Sequence, residues 1–256
     1  AADPAPAPDT VIVFIINTDV DWSGGNPPDT VPQIFLTTNG DIQATEFQGD
    51  MLAGHIHSTA GDVTLVSPRK ILDADGTPTT DVTGVNVTMT SGVPTPETAT
   101  PSVGGIGETT DYLEINVDRN NGTGVLNAFD INAPTHGGIF LDELIGPMEV
   151  DTVHTIENVS LRTVAGSIRD ARNAGAGDAN ANVLGQTIDL DANGAGSDIG
   201  ESGNDLEIDS SRGSPALTLD QNGDDVGLEA TDNIWLTETD GLLRLVLAHT
   251  YEGDIT

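Results

Sequence analysis

The chain has 256 residues and carries 41 acidic against 8 basic side chains, a formal net charge of −33 at pH 7. A surface this acidic excludes nucleic acid and anionic membranes as default partners and makes cations the natural counterparts. Hydrophobic residues make up 36% of the chain and aromatic residues 4%, which is thin for one large globular core and suits a narrow core of small aliphatic side chains.

Residues 1–9 are rich in proline and alanine and are interpreted as a linker or a mature N-terminus. They lack the charged and apolar regions of a signal peptide. No apolar run approaches the roughly 18 residues that a transmembrane helix needs. The absence of cysteine fits a protein that a microbe secretes without disulfide support, and it equally fits a cytosolic protein.

Residues 10–256 are predicted to form one domain of short β-strands. After a strand at residues 10–16 and a turn-rich loop, segments of about four to seven residues alternate apolar and polar side chains, and each ends at Gly, Asn, Asp or Pro. This alternation is typical of strands with one buried face. Helical periodicity is nearly absent, so the predicted fold class is all-β.

A long repeat runs through this domain. A hydrophobic triplet recurs at spacings of 105 and 95 residues, and a His-Thr or His-Ser pair recurs at spacings of 97 and 95 residues. The predicted super-repeats of about 95–105 residues span 33–137, 138–232 and, in part, 233–256. The landmarks are Ile34, Ile139 and Ile234 for the triplet, and His57, His154 and His249 for the pair.

A unit of this length is too long for one turn of a solenoid. With about 20 to 30 residues per coil, each unit is predicted to hold four or five coils. Alternate aliphatic side chains point inward in such a coil, and they are buried only when coils stack. The sequence therefore predicts a β-solenoid.

The repeats are marked by Gly-Asp-Val-Thr at 61–64, Gly-Ser-Ile-Arg-Asp-Ala at 166–171, Ile-Gly-Glu-Ser at 199–202 and Leu-Glu-Ile-Asp at 206–209. In these motifs, and over nearly all of residues 10–256, the chain resembles the repetitive β-helical surface proteins of bacteria, the filamentous-haemagglutinin-like adhesins. The resemblance implies a right-handed parallel β-helix that is displayed on a cell surface or forms part of a secreted filament. It implies no catalytic residue.

Calcium is the metal that the sequence favours. Several segments place oxygen-bearing side chains at alternate positions before a glycine, and Ca²⁺ takes six to eight oxygen ligands in loops that a glycine helps to bend. The same Asx-Gly pattern also makes tight turns that hold no metal, so both interpretations stay open. The candidate ligands are Asp73, Asp75 and Asp81; Asp191, Asn193 and Asp198; and Asp220, Asn222, Asp224 and Asp225.

Together these features predict a structural or adhesive segment of a secreted or cell-surface protein. It is either the stalk of a large adhesin or a subunit of an extracellular filament, and its partners are further copies that stack end to end, neighbouring repeats of a larger chain, or extracellular carbohydrate. Two alternatives remain, a polysaccharide-active β-helix enzyme and a Ca²⁺-dependent carbohydrate-binding module with a β-sandwich fold. An enzyme is not expected, because the few basic side chains lie in a chain whose charge of −33 repels acidic polysaccharides.

Overall fold

The computed structural model describes residues 12–16, 33–95, 103–117, 124–131, 137–172, 180–211 and 225–256. Within these ranges the chain forms β-strands and no helix. The described residues therefore contain no helix that is long and apolar enough to cross a membrane. The strands are β1 (Ile12–Ile16), β2 (Ile34–Thr38), β3 (Ile42–Glu46), β4 (Met51–Ser58), β5 (Val63–Val66), β6 (Ile71–Asp73), β7 (Val82–Gly84), β8 (Val87–Ser91), β9 (Leu113–Val117), β10 (Leu126–Asp130), β11 (Ile139–Glu143), β12 (Met148–His154), β13 (Val159–Thr163), β14 (Ile168–Asp170), β15 (Val183–Leu184), β16 (Ile188–Ala192), β17 (Leu206–Asp209), β18 (Asp225–Ala230), β19 (Leu236–Glu238) and β20 (Arg244–Thr250).

The strands form two parallel sheets that the chain visits in turn. Sheet A has the order β1-β3-β5-β8-β10-β12-β15-β17-β19, with β14 beside β12, and sheet B has the order β2-β4-β7-β9-β11-β13-β16-β18-β20, with β6 beside β4. Paired residues lie about 20 to 40 positions apart, so one coil takes that many residues. The predicted all-β parallel solenoid is confirmed. A β-sandwich, which needs antiparallel sheets, is excluded because all the strand pairings between named strands are parallel.

The core is a set of aliphatic columns that run from coil to coil. In sheet B, Leu141, Leu161 and Leu190 stack in register and are fully buried. Single parallel bridges also join isoleucines of successive coils into two further columns. Burying such side chains against each other removes apolar surface from water without aromatic bulk, as the composition predicted. The isoleucine columns are Ile71, Ile106 and Ile139, and Ile168, Ile199, Ile234 and Ile255.

Buried carboxylates at the ends of strands hold the corners of the coils. Glu46 accepts hydrogen bonds from the backbone N–H groups of the two residues that follow it, at 2.8 and 3.0 Å. Asp130 accepts from Gly137 N–H at 2.9 Å, and Glu143 accepts from Val117 N–H at 2.9 Å. Charge-assisted bonds of this kind satisfy backbone donors where the chain leaves a sheet.

The first predicted unit, residues 33–137, holds four coils, as expected, and the second, residues 138–232, holds about three and a half. His57 lies on β4 in sheet B, His154 on β12 in sheet A, and His249 on β20 in sheet B. The histidine landmarks of successive units are therefore displaced along the stack and lie on opposite sheets, whereas Ile34 and Ile139 both lie on sheet B. Coils vary from about 20 to about 40 residues, so units of similar length hold slightly different numbers of coils.

Candidate metal centre

Three carboxylates converge at strands of sheet B. Asp73 is the last residue of β6, Asp81 directly precedes β7, and Glu114 lies on β9. Strands β6 and β7 both pair with β4, and β9 pairs with β7, so the three side chains meet where two successive coils adjoin. Asp81 N–H donates to the Glu114 carbonyl oxygen at 2.9 Å, which fixes their register. One oxygen from each carboxylate lies within 4.8 Å of the others.

The loop between β6 and β7 brings Asp73 and Asp81 together. Asp73 Oδ1 accepts a hydrogen bond from Asp75 N–H at 2.8 Å, a turn that aspartate favours, and Gly76 follows with a φ of +62°. Asp75 is exposed and its Oδ1 accepts from Thr77 N–H at 2.8 Å. Asp75 therefore shapes the loop, whereas Asp73 and Asp81 face each other across its base.

The carboxylates of this cluster are buried and lack donors. Asp81 is 0% exposed, Asp73 8% and Glu114 7%. Asp73 Oδ2, Glu114 Oε2 and both Asp81 oxygens find no hydrogen-bond donor among the described residues. A buried charged group without a partner is costly, so each of these oxygens needs a proton or a cation. None of the ion pairs in the described part of the chain brings Lys or Arg to these three side chains.

Burial also controls the protonation of the cluster. Loss of hydration raises the pKa of Asp81 to about 9, and the nearby carboxylates of Asp73 and Glu114 raise it further. Burial raises the pKa of Glu114 to about 7, with Asp73 as the next cause. The pKa of Asp73 is raised by burial and lowered in part by the N–H groups of the loop. Without a cation, Asp81 therefore keeps its proton at neutral pH.

This protonation predicts a pH dependence for the metal-free protein. In the presence of a chelator, the unfolding free energy of the wild type should fall, relative to Asp81→Asn, as the pH rises from about 4 to about 9. The folded protein holds the Asp81 proton more tightly than the unfolded chain, whose aspartate pKa is about 4. The stabilisation is thus complete below the unfolded pKa and is lost as the pH rises through the folded pKa of about 9.

Urea unfolding of both proteins at a series of pH values measures this difference. General repulsion among the other acidic side chains is common to the two proteins and cancels in the comparison. Identical pH profiles would contradict the burial of an acidic proton at Asp81.

The structure places the other predicted ligands apart from this cluster. Asp191 lies on β16, where its pKa is raised by burial and its carboxylate bonds to the Asn193 side chain. Asp198 instead accepts two hydrogen bonds from Asn233, at 2.8 and 3.2 Å. Among the described residues, the cluster of Asp73, Asp81 and Glu114 is the one group of three acidic or histidine side chains with ligand atoms this close.

The remaining predicted segment is described only at its end. Asp220, Asn222 and Asp224 lie outside the described residues. Asp225 begins β18 and forms an ion pair with Arg244 on β20, with 3.0 Å between Asp225 Oδ1 and Arg244 Nη2. Its carboxylate is therefore balanced by a basic group of the next coil.

Glu114 was missed by reasoning from the sequence. Spacing along the chain groups Asp73, Asp75 and Asp81, whereas Glu114 joins them only because β9 pairs with β7. The available signal was indirect: an acidic residue on an outward strand position one coil further on. Finding it requires the register between coils, which the sequence alone does not supply.

The chain matches no known protein family, no characterised protein and no solved structure. Its function is therefore inferred from its own residues and their geometry.

Proposed function

We propose that this chain is a structural and adhesive segment of a secreted or cell-surface protein, either an adhesin stalk or a subunit of an extracellular filament. The observation that carries the proposal is the pair of unbroken parallel sheets, each with a path of nine strands, around a continuous aliphatic core. Each coil contacts mainly its neighbours, so the stack extends in one dimension as a stiff rod. The length of such a rod determines how far it extends from its point of attachment. Its repeated outer faces can bind several weak sites at once, which raises the overall affinity.

Side chains on the outer face of sheet B are held rigidly across coils, which supports a role as a preformed contact surface. The Arg162 guanidinium lies 3.5 Å above the Tyr112 ring centre and pairs through two nitrogens with Asp142. Tyr112 Oη donates to Ser160 Oγ at 2.8 Å, and Ser160 donates to Asp189 at 3.0 Å. A surface already ordered in this way loses little side-chain entropy on binding.

Exposed apolar side chains on the last described coil favour further coils as binding partners. Five large apolar side chains in and around β20 are between 41% and 65% exposed, whereas Val226, the partner of Leu245 on the preceding coil, is buried. The outer edge of β20 also has no paired strand within the described chain. An apolar strand edge of this kind invites parallel pairing with a coil from another copy or from a neighbouring repeat. The exposed side chains are Leu242, Leu243, Leu245, Val246 and Leu247.

A shallow groove beside sheet A favours the structural role over the polysaccharide-active alternative. Its one basic side chain, Arg169, is paired with Glu149 at 3.4 Å and with Glu201 at 3.0 Å. An enzyme that cleaves acidic polysaccharides needs positive charge directed at its substrate, and in this groove the acidic partners offset it.

Small-angle scattering and electron microscopy over a range of protein concentrations test the proposal. We expect elongated particles that lengthen as the concentration rises. A double variant, Leu245→Lys with Leu247→Lys, should stop the lengthening, because lysine on a strand edge opposes pairing. Thr88→Lys, at an outward position in the middle of the stack, is the matched control and should still lengthen.

Compact particles would contradict the rod, and a constant length at all concentrations would contradict stacking between copies. Degradation of a polysaccharide panel by the wild type would support the enzyme alternative instead.

A further inference from the structure

The repeat supplies an internal comparison for the acidic cluster. Two sets of five residues occupy equivalent positions in the first and second units, and their strands pair in the same way. Asp81 N–H donates to the Glu114 carbonyl at 2.9 Å, and Asn182 N–H donates to the Glu207 carbonyl at 2.7 Å. The first cluster is Asp73, Asp75, Asp81, Asp111 and Glu114; the second cluster, in the same order, is Asp170, Arg172, Asn182, Asn204 and Glu207.

An amide occupies the centre of the second cluster, although Asp170 Oδ2 there also lacks a hydrogen-bond donor. Asn182 Nδ2 donates to Asp170 Oδ1 at 2.6 Å and to the Val150 carbonyl oxygen at 2.9 Å. Asn182 Oδ1 accepts from Glu207 N–H at 3.1 Å. A carboxylate at this position cannot donate, so the ionised Asp81 of the first cluster cannot make the equivalent bonds.

The residues around the second cluster are also less acidic than those around the first. Arg172 stands where the first cluster has Asp75, and its Nε lies 3.7 Å from Asp170 Oδ1. Asn204 stands where the first cluster has Asp111, and its Nδ2 donates to the Asp170 carbonyl oxygen at 3.2 Å. The second cluster thus contains two acids, two amides and one base, whereas all five residues of the first cluster are acidic.

We propose that the first cluster binds a calcium ion through the carboxylates of Asp73, Asp81 and Glu114, at the position where the second cluster uses the Asn182 amide. The fully buried Asp81 side chain points into the cluster with both oxygens lacking a donor, which a bound cation would satisfy. One oxygen from each carboxylate lies within 4.8 Å of the others, which is close enough for a single Ca²⁺ with ligands at about 2.4 Å to bind all three. Three protein carboxylates favour Ca²⁺, because Mg²⁺ keeps several of its waters and is usually bound through only one or two carboxylates.

Binding here would join two coils. Asp73 and Asp81 lie at the two ends of the loop between β6 and β7, and both of these strands pair with β4. Glu114 belongs to the following coil. One ion would therefore hold the loop closed and tie it to the next turn of the solenoid. This role goes beyond the proposed rod, because it would make the stability of one segment depend on extracellular calcium.

Isothermal titration with CaCl₂ at high ionic strength tests the site, since salt screens diffuse attraction to the charge of −33. The wild type should bind one more Ca²⁺ than Asp81→Asn, or bind it at least about tenfold more tightly. The Asn182 geometry predicts that Asp81→Asn folds, so its thermal midpoint in chelator should equal or exceed that of the wild type. Calcium should raise the midpoint of the wild type more than that of the variant.

Asp189→Asn is the control, because it removes the same charge from the outer face of β16 and should retain the wild-type stoichiometry. Equal calcium binding and equal midpoint shifts in the wild type and Asp81→Asn would overturn the proposal. Binding of Mg²⁺ as tight as that of Ca²⁺ would overturn the assignment to calcium.

Discussion

Replacing Gly107 with alanine should lower the unfolding free energy by about 3 kcal/mol or more. Gly107 has a φ of +65°, a conformation that costs an L-residue about 1–2 kcal/mol. An added Cβ would also lie 2.2 Å from the Phe140 carbonyl oxygen on the next coil. Coil spacing is fixed by hydrogen bonds on both sides of this point, so the clash adds about 1–3 kcal/mol of overpacking.

Gly146→Ala separates the two contributions to this loss. Gly146 has a φ of +86°, but nothing lies within 4 Å of an added Cβ, so only the conformational cost of about 1–2 kcal/mol should appear. Gly200, whose Cβ would lie 2.2 Å from the Trp235 carbonyl, should behave like Gly107. Urea unfolding measures all three variants. A loss for Gly107→Ala no larger than for Gly146→Ala would contradict the close approach between coils.

Leu161→Ala should lower the unfolding free energy by about 3–4 kcal/mol. Leu161 is fully buried and lies in register between Leu141 and Leu190. The two neighbouring coils are held at strand spacing by their backbone hydrogen bonds, so they cannot collapse into the space that the side chain leaves. Both lost transfer energy and a residual cavity therefore contribute, which keeps the cost above the lower end of the range of about 2–5 kcal/mol for such truncations.

Leu245→Ala is the matched control for this prediction. Leu245 lies on β20 in the same sheet, opposite Val226, but it is 45% exposed because no further coil covers it. Its truncation should cost less than about 1 kcal/mol. Chemical denaturation of both variants checks the difference. Equal losses would show that inward position, rather than coverage by a further coil, determines the cost.

The fold was predictable because a parallel in-register stack depends on local patterns. Alternating apolar positions identify strands, and self-similarity along the chain identifies the stacking. The Ile-Gly-Glu-Ser motif at 199–202 and the similar Ile-Gly-Glu-Thr at 106–109 both begin with an isoleucine that bridges to the next coil in an isoleucine column. Each is also followed by a small antiparallel bridge, from Glu108 to Asp111 and from Glu201 to Asn204.

The acidic cluster was only partly predictable. Asp73 and Asp81 are close in sequence, and one loop suffices to bring them together. The contribution of Glu114 depends on how many residues the intervening coil uses, and coil length here varies from about 20 to 40 residues. The inward carboxylates Glu46 and Glu143 were equally hidden, because their backbone partners lie at corners that no side-chain pattern marks.

The extra half-coil between successive histidine landmarks determines which face of the stack a repeated motif occupies in a chain of many such units. From one histidine landmark to the next, the chain advances along the stack and also changes sheet, because His57, His154 and His249 alternate between the two sheets. A recognition motif carried beside each histidine landmark would then appear alternately on the left and right flanks. A chain lengthened by duplicating such a unit would thus present that motif on two opposite faces of the stack.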